Sequence, residues 1–134
     1  MSPDQVAEAE VRQIVTEWAE AVRRRDLAGI VRHHSPDILM FDVPPPLQSK
    51  GIDEYRRTWN GFLSWSHDPV RFDVLEMTVT AGHEVAFVAA VMRCSGRETS
   101  GEDVELQFRL TVGLQKSAGQ WMVTHEHHSI PAVS

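Results

Sequence analysis

One cysteine, Cys94, is too few for a disulfide within the chain. That fits a reducing compartment, and the thiol reads as a strand residue rather than a nucleophile. Positive charge is also scarce. Thirteen Lys and Arg face 19 Asp and Glu, for a net charge of −6 and a pI near 5.6. This excludes nucleic acid and anionic membranes as partners, since both need clustered positive charge. The one basic run, Arg23-Arg24-Arg25, falls at an expected helix C-terminus, where it complements the macrodipole. No apolar run reaches membrane-spanning length. The N-terminus has no basic stretch followed by an apolar core, so no signal peptide is expected and the cytoplasm is the expected location. Repeats, low-complexity tracts and linkers are lacking too. A single domain over residues 1–134 is expected, long enough for a core, with an ordinary 42% hydrophobic and 24% charged composition.

Ser2-Pro3-Asp4-Gln5 reads as a helix start, with Ser2 as cap, Pro3 at the first helical position and Gln5 closing a capping box. Val11, Ile14, Val15, Trp18 and Val22 recur at helical spacing on one face, and the helix is expected to end near Arg25. Asp26 caps a second, shorter helix carrying Leu27, Ile30 and Val31. His33 and His34 close it, most simply as dipole partners or surface residues, with reach into a pocket as the lesser alternative. Ile38 to Val43 is a short strand, and Pro44-Pro45-Pro46, lacking amide hydrogens, ends it. Gly51 opens a third helix whose Ile52, Tyr55, Trp59 and Phe62 share one face. That stripe is either core or the lid of an apolar pocket, where the Tyr55 hydroxyl needs a partner if buried.

The rest of the chain is β. Val70, Phe72 and Val74 alternate, then the phase changes to Leu75, Met77 and Val79, so a bulge is expected near Val74-Leu75. Ala81 to Glu84 is a hairpin turn. Val85 to Val91 is apolar on both faces, as in a central strand. Ser95 to Asp103 reads as a polar loop. Val104, Leu106, Phe108, Leu110, Val112 and Leu114 then alternate with polar residues, which turns the apolar set inward and Arg109 and Thr111 outward. The last strand, Trp121 to Pro131, contains His125-Glu126-His127-His128. Strict alternation puts Trp121, Val123, His125 and His127 on one face and Met122, Glu126 and His128 on the other. Whichever face turns inward carries an imidazole, so this strand reads as a pocket wall. His125 and His127 share a face and could ligate a metal, but a third protein ligand is not evident and no metal is expected. The order describes an α+β fold with a mostly antiparallel sheet and helices on one face.

That order resembles the nuclear-transport-factor-2-like superfamily, and its SnoaL-like and ketosteroid-isomerase-like members in particular. The residues carrying the resemblance are Trp18 with Arg25-Asp26-Leu27, Phe41-Asp42 followed by prolines and Gly51-Ile52-Asp53, Arg109-Leu110-Thr111, and the strand from Trp121 to Ser129. It implies a cone-shaped, curved, mostly antiparallel sheet wrapped around three helices from the N-terminal half. It also implies a role for Asp42, whose distance from Gly51 is similar to that of the isomerases' catalytic aspartate from its next helix. There such a residue is a general base beside a carbonyl, working in a water-poor pocket with donors for the enolate oxygen. The bland alternative is that Asp42 caps the turn before the prolines.

The donors depart from the isomerase pattern. Trp18 stands at the position of the oxyanion tyrosine and Thr111 near that of the protonated acid, which sends Thr111 inward and conflicts with the alternation. Tyr55 stands where the calmodulin-dependent kinase hub domain, another member, has a pocket histidine, which makes it the alternative donor. The same resemblance turns Glu126 and His128 into the cavity. Candidate catalytic groups are therefore Asp42, His128 and Glu126. Candidate substrate contacts are Trp18, Tyr55, Trp59, Phe62, Arg109 and Thr111. Two functions follow as expectations. One is cofactor-free proton transfer (isomerisation, cyclisation or dehydration) on a small apolar molecule with a carbonyl or carboxylate. The other is a non-catalytic, oligomerising or ligand-sensing module like the hub domain. Either is expected to be a homodimer through the convex sheet face, because the helices can cover only one side of Val85 to Val91.

Overall fold

In the computed structural model, which describes residues 1–65 and 69–132, the chain opens as its first residues predict. Ser2 accepts from the Gln5 amide and Gln5 returns a bond to the Ser2 amide, closing the capping box ahead of α1 (Pro3–Arg23). Val11, Ile14, Val15, Trp18 and Val22 are all buried. The basic run does more than complement a dipole. Arg23 donates to the Phe72 carbonyl at 2.6 Å, and Arg25 donates to the Leu63 carbonyl, tying the end of α1 to neighbouring elements.

Asp26 caps α2 (Leu27–Val31) through the Gly29 amide. The two histidines after it do not close that helix. Arg32 is extended and His33 takes a left-handed φ of 61°, so the chain turns and β1 (His34–Phe41) begins with a buried His34. A two-residue strand, β2 (Ser49–Lys50), pairs with β1. Gly51, at a φ of +88° that other residues rarely adopt, turns the chain into α3 (Ile52–Trp65). Tyr55 and Trp59 are its buried face, with Ile52 and Phe62 packed partly against the core.

Four strands follow: β3 (Arg71–Ala81), β4 (Val85–Arg97), β5 (Asp103–Ser117) and β6 (Gln120–Ser129). The register of β3 shifts between Val74 and Glu76, where the phase change in the sequence predicts a bulge. The polar segment expected as a loop from Ser95 to Asp103 is strand at its two ends, and the loop is confined to residues 98–102. Ser95, Gly96 and Arg97 pair with Glu105, Val104 and Asp103, because backbone pairing at a solvated hairpin end needs no apolar side chains. The sheet order is β2-β1-β6-β5-β4-β3, antiparallel throughout except for the β1–β6 pair.

This is an α+β fold in which a curved six-stranded sheet encloses the helices on its concave side. Ala86, Val88, Ala90, Met92 and Cys94 of β4 and Phe108, Leu110, Val112 and Leu114 of β5 fill the interior. The opposite face of β4 is left to solvent in the single chain, with Val85 63% and Phe87 52% exposed. Among the described residues no helix is long and apolar enough to cross a membrane.

Candidate functional site

The site depends on a bulge in β6. Gly113 pairs with His125 and Leu114 with Val123, so Thr124 is an extra residue, and its hydroxyl donates to the Gly113 carbonyl at 3.3 Å. One inserted residue reverses every side chain beyond it. Trp121 and Val123 therefore face inward before the bulge, and Glu126 and His128 face inward after it. The strict alternation expected from the sequence fails here. His125 and His127 lie on the outer side and flank Phe41, with ring centroids 4.9 and 5.4 Å from it. His125 Nδ1 donates to the Leu39 carbonyl at 2.7 Å. Among the described residues no group of three His, Cys, Asp or Glu is arranged to hold a metal.

The parallel pairing of β1 with β6 brings the catalytic candidates together. Phe41 pairs with His127, so Asp42, the next residue, meets His128, with Oδ1 3.4 Å from Nδ1. The other ring nitrogen of His128, Nε2, lies 3.1 Å from Glu126 Oε2. The imidazole is thus held between two carboxylates. Burial works against its charged form, but the hydrogen bonds and charges of Asp42 and Glu126 outweigh that and raise its pKa to about 9. His128 is an imidazolium at neutral pH.

Glu126 is 1% exposed and has further partners. Its Oε1 accepts from the Tyr55 hydroxyl at 2.7 Å and lies 2.8 Å from His34 Nε2. His34 Nδ1 donates to the Arg32 carbonyl at 2.7 Å, which fixes the ring. Burial would raise the Glu126 pKa, yet the hydrogen bonds and positive charges of His128 and His34 outweigh it and hold the carboxyl at about 2. Tyr55 in turn accepts from the Trp18 indole N–H at 3.0 Å. Burial, and next the charge of Glu126, push its phenol well above the usual value, so it remains a donor.

Beside this network is a cavity of about 510 Å³. Trp59, Phe62, Phe72, Cys94, Leu106 and Phe108 make its apolar wall, and Asp42 and His128 reach it from the network. Burial pushes the Cys94 thiol to about 11, so it contributes volume, not a nucleophile. Val43, Pro44 and Pro45 from the loop after β1, and Arg57, Thr58 and Gly61 from α3, complete the lining.

The structure therefore sorts the expected site residues. Asp42, His128, Trp59 and Phe62 line the cavity. Glu126, Tyr55 and Trp18 stand behind His128, buried and bonded to one another, without lining the cavity. Arg109 and Thr111 are corrected. Both are exposed on the outer face, where Arg109 donates to the Ser129 hydroxyl at 3.1 Å. β5 has no bulge against β4, so its simple alternation holds and keeps them out. His34 was missed because two residues outside regular structure re-aim it. Phe72 and Phe108 were legible as inward strand residues but not as cavity wall. Arg57 gave no signal beyond its place on α3.

Residues 11–133 match the family model of the SnoaL-like domain. No protein of curated function is matched by the chain. An NTF2-like protein of unknown function from Pseudomonas putida KT2440 is 36% identical, with 95% of this chain and 88% of that one covered at a TM-score of 0.86. A ketosteroid isomerase-like protein from Erwinia carotovora atroseptica superposes at 0.78 with 17% identity, over 91% of this chain and 94% of that one. The association domain of C. elegans CaMKII superposes at 0.73 with 19% identity, over 95% and 98%. These last two share the fold. The match over residues 11–133, with the helices, sheet order and cavity described above, places this chain in the SnoaL-like domain family of NTF2-like proteins.

Proposed function

We propose that the cavity binds a small, largely apolar carbonyl compound and that Asp42 moves a proton on it. The observation carrying this reading is that a carboxylate and an imidazolium, 3.4 Å apart, meet on the wall of an otherwise aromatic cavity. Asp42 would take a proton from the carbon beside the carbonyl. The C–H bond breaks, an O–H bond forms on Asp42, and the electron pair moves to the carbonyl oxygen. His128 Nδ1–H is the donor for that oxygen. Its contact with Asp42 is long for a hydrogen bond, so it can turn to the enolate as Asp42 loses its charge. Return of the proton to a different carbon gives an isomer; loss of a leaving group gives a dehydration. No cofactor is required. Glu126 acts on His128, not on the substrate, by keeping it charged and oriented, with His34, Tyr55 and Trp18 holding Glu126.

A second reading, binding without turnover, is favoured by one observation. Trp18 and Tyr55, the expected oxyanion donors, spend their hydrogen bonds inside the network. A screen of polycyclic ketones, enones and small carboxylates, read by thermal shift and by turnover, separates the two. Under the catalytic reading a ketone or enone is converted, and Asp42→Asn lowers turnover by about a hundredfold or more with binding retained. Ligands that stabilise the protein without being converted, or an unimpaired Asp42→Asn enzyme, would leave only the binding reading.

The chain is further proposed to act as a homodimer through the outer sheet face, where Val85 and Phe87 have no cover within the chain. Its proposed location is the cytoplasm.

A further inference from the structure

We propose that the ligand is an anion, an apolar monocarboxylate whose carboxylate is held by Arg57 at the cavity mouth while its hydrocarbon body fills the aromatic wall. This rests on the proposed ligand-binding role of the cavity and adds the charge of what enters it.

The argument begins with helix geometry. Residues three and four apart share a face of α3, so Arg57, Thr58, Gly61 and Phe62 form one patch, and all four line the cavity. Arg57 and Gly61 are exposed, which puts them at the mouth, while Trp59 is buried deeper. A Cβ added at Gly61 would meet no atom of the described residues within 4 Å, so among these the space beside Arg57 is open. The neighbouring Arg56 is paired with Asp53 at 3.5 Å. Arg57 has no ion pair or hydrogen bond with any described residue. Its guanidinium is a planar fork suited to two parallel bonds to a carboxylate.

The charge balance agrees. Among the described residues three charged groups line the cavity: Asp42, His128 and Arg57. His128 is already matched by Asp42 and by Glu126 behind it, so it offers no free positive charge to a ligand. That leaves Arg57 as the cationic lining group without a charge partner among the described residues. An anionic ligand balances it; a neutral one leaves it to water. The wall of Trp59, Phe62, Phe72 and Phe108 then requires the rest of the ligand to be apolar.

Calorimetry with a matched pair tests this: 2-naphthoate and its methyl ester, alike in hydrocarbon body and differing in charge. At pH 7 and low salt the acid should bind about tenfold tighter than the ester. Arg57→Gln should bring the acid down to the ester's affinity and leave the ester unchanged. Arg57→Lys should retain most of the preference. Salt of about 0.5 M should weaken the acid alone, because an exposed charge is screened. Equal binding of acid and ester to the wild-type protein overturns the assignment of charge but leaves the cavity reading standing. A preference that survives Arg57→Gln overturns the role of Arg57. Binding of neither probe overturns this inference and counts against the cavity reading as well.

Discussion

Glu126→Gln is the substitution that interrogates the buried network most directly. The side chain keeps its shape and loses its charge. In the wild type the His128 pKa is raised from an ordinary 6.5 to about 9. A group raised in the folded state contributes stability that is fully present below pH 6.5 and is lost as pH climbs through 9. At about 1.4 kcal/mol per unit, that contribution is about 3 kcal/mol. Asp42 and Glu126 share responsibility for it, against the opposing effect of burial. In the variant the amide oxygen can still accept from Tyr55, but the amide nitrogen faces His128 Nε2 and cannot accept its proton. His128 then keeps only Asp42 as a counter-charge, its pKa falls, and the alkaline loss shrinks. The variant should be about 3–5 kcal/mol less stable near pH 6, the cost of breaking a buried ion pair, with the gap narrowing by at most about 3 kcal/mol towards pH 9. Urea denaturation followed by tryptophan fluorescence at pH 5 to 9.5 measures both curves, and NMR titration of the His128 ring reports the pKa itself. On the acid side, Glu126 held near 2 contributes stability present above pH 4.5 and lost as pH falls towards 2. The variant should lack that slope. Parallel curves for the two proteins between pH 6.5 and 9 would refute the role assigned to Glu126, and a wild-type curve that is flat there would refute the charged His128.

Other outcomes follow from the same geometry. Tyr55→Phe removes a hydroxyl bonded to Trp18 Nε1 and Glu126 Oε1, leaving two buried groups short of a partner, and should cost about 1–3 kcal/mol in chemical denaturation. Gly61→Ala meets no neighbouring atom among the described residues and replaces a helix-interior glycine. It should stabilise by about 0.5–1 kcal/mol, read as a higher urea midpoint; destabilisation would show that the space at the cavity mouth is not free. Phe87→Glu puts a charge on the uncovered outer face of β4. Sedimentation should show the dimer giving way to monomer with the fold intact, and a wild-type protein already monomeric at micromolar concentration would refute the proposed interface.

Much of the architecture was legible because it is local. The capping box at Ser2, the apolar face from Val11 to Val22, the Asp26 cap and the bulge in β3 each follow from residues within a few positions of one another. Short-range sterics and hydrogen bonding decide such features. The outward placement of Arg109 and Thr111 was legible too, from plain alternation, and the positional analogy with isomerases misled where that simple rule held.

The site belongs to the other category. Nothing near Thr124 marks it as the residue that bulges, yet that single insertion decides which two members of His125-Glu126-His127-His128 face the cavity. Asp42 reaches His128 because strands at opposite ends of the chain pair in parallel, a contact spanning 86 residues by subtraction of their numbers. His34 joins Glu126 only after the backbone turns at Arg32 and His33. The sequence by itself determined the elements, their faces and the supply of ionisable groups. Only the tertiary structure decided which groups meet, because strand register and bulges are set by the packing of the whole sheet, and a shift of one residue exchanges the cavity for solvent.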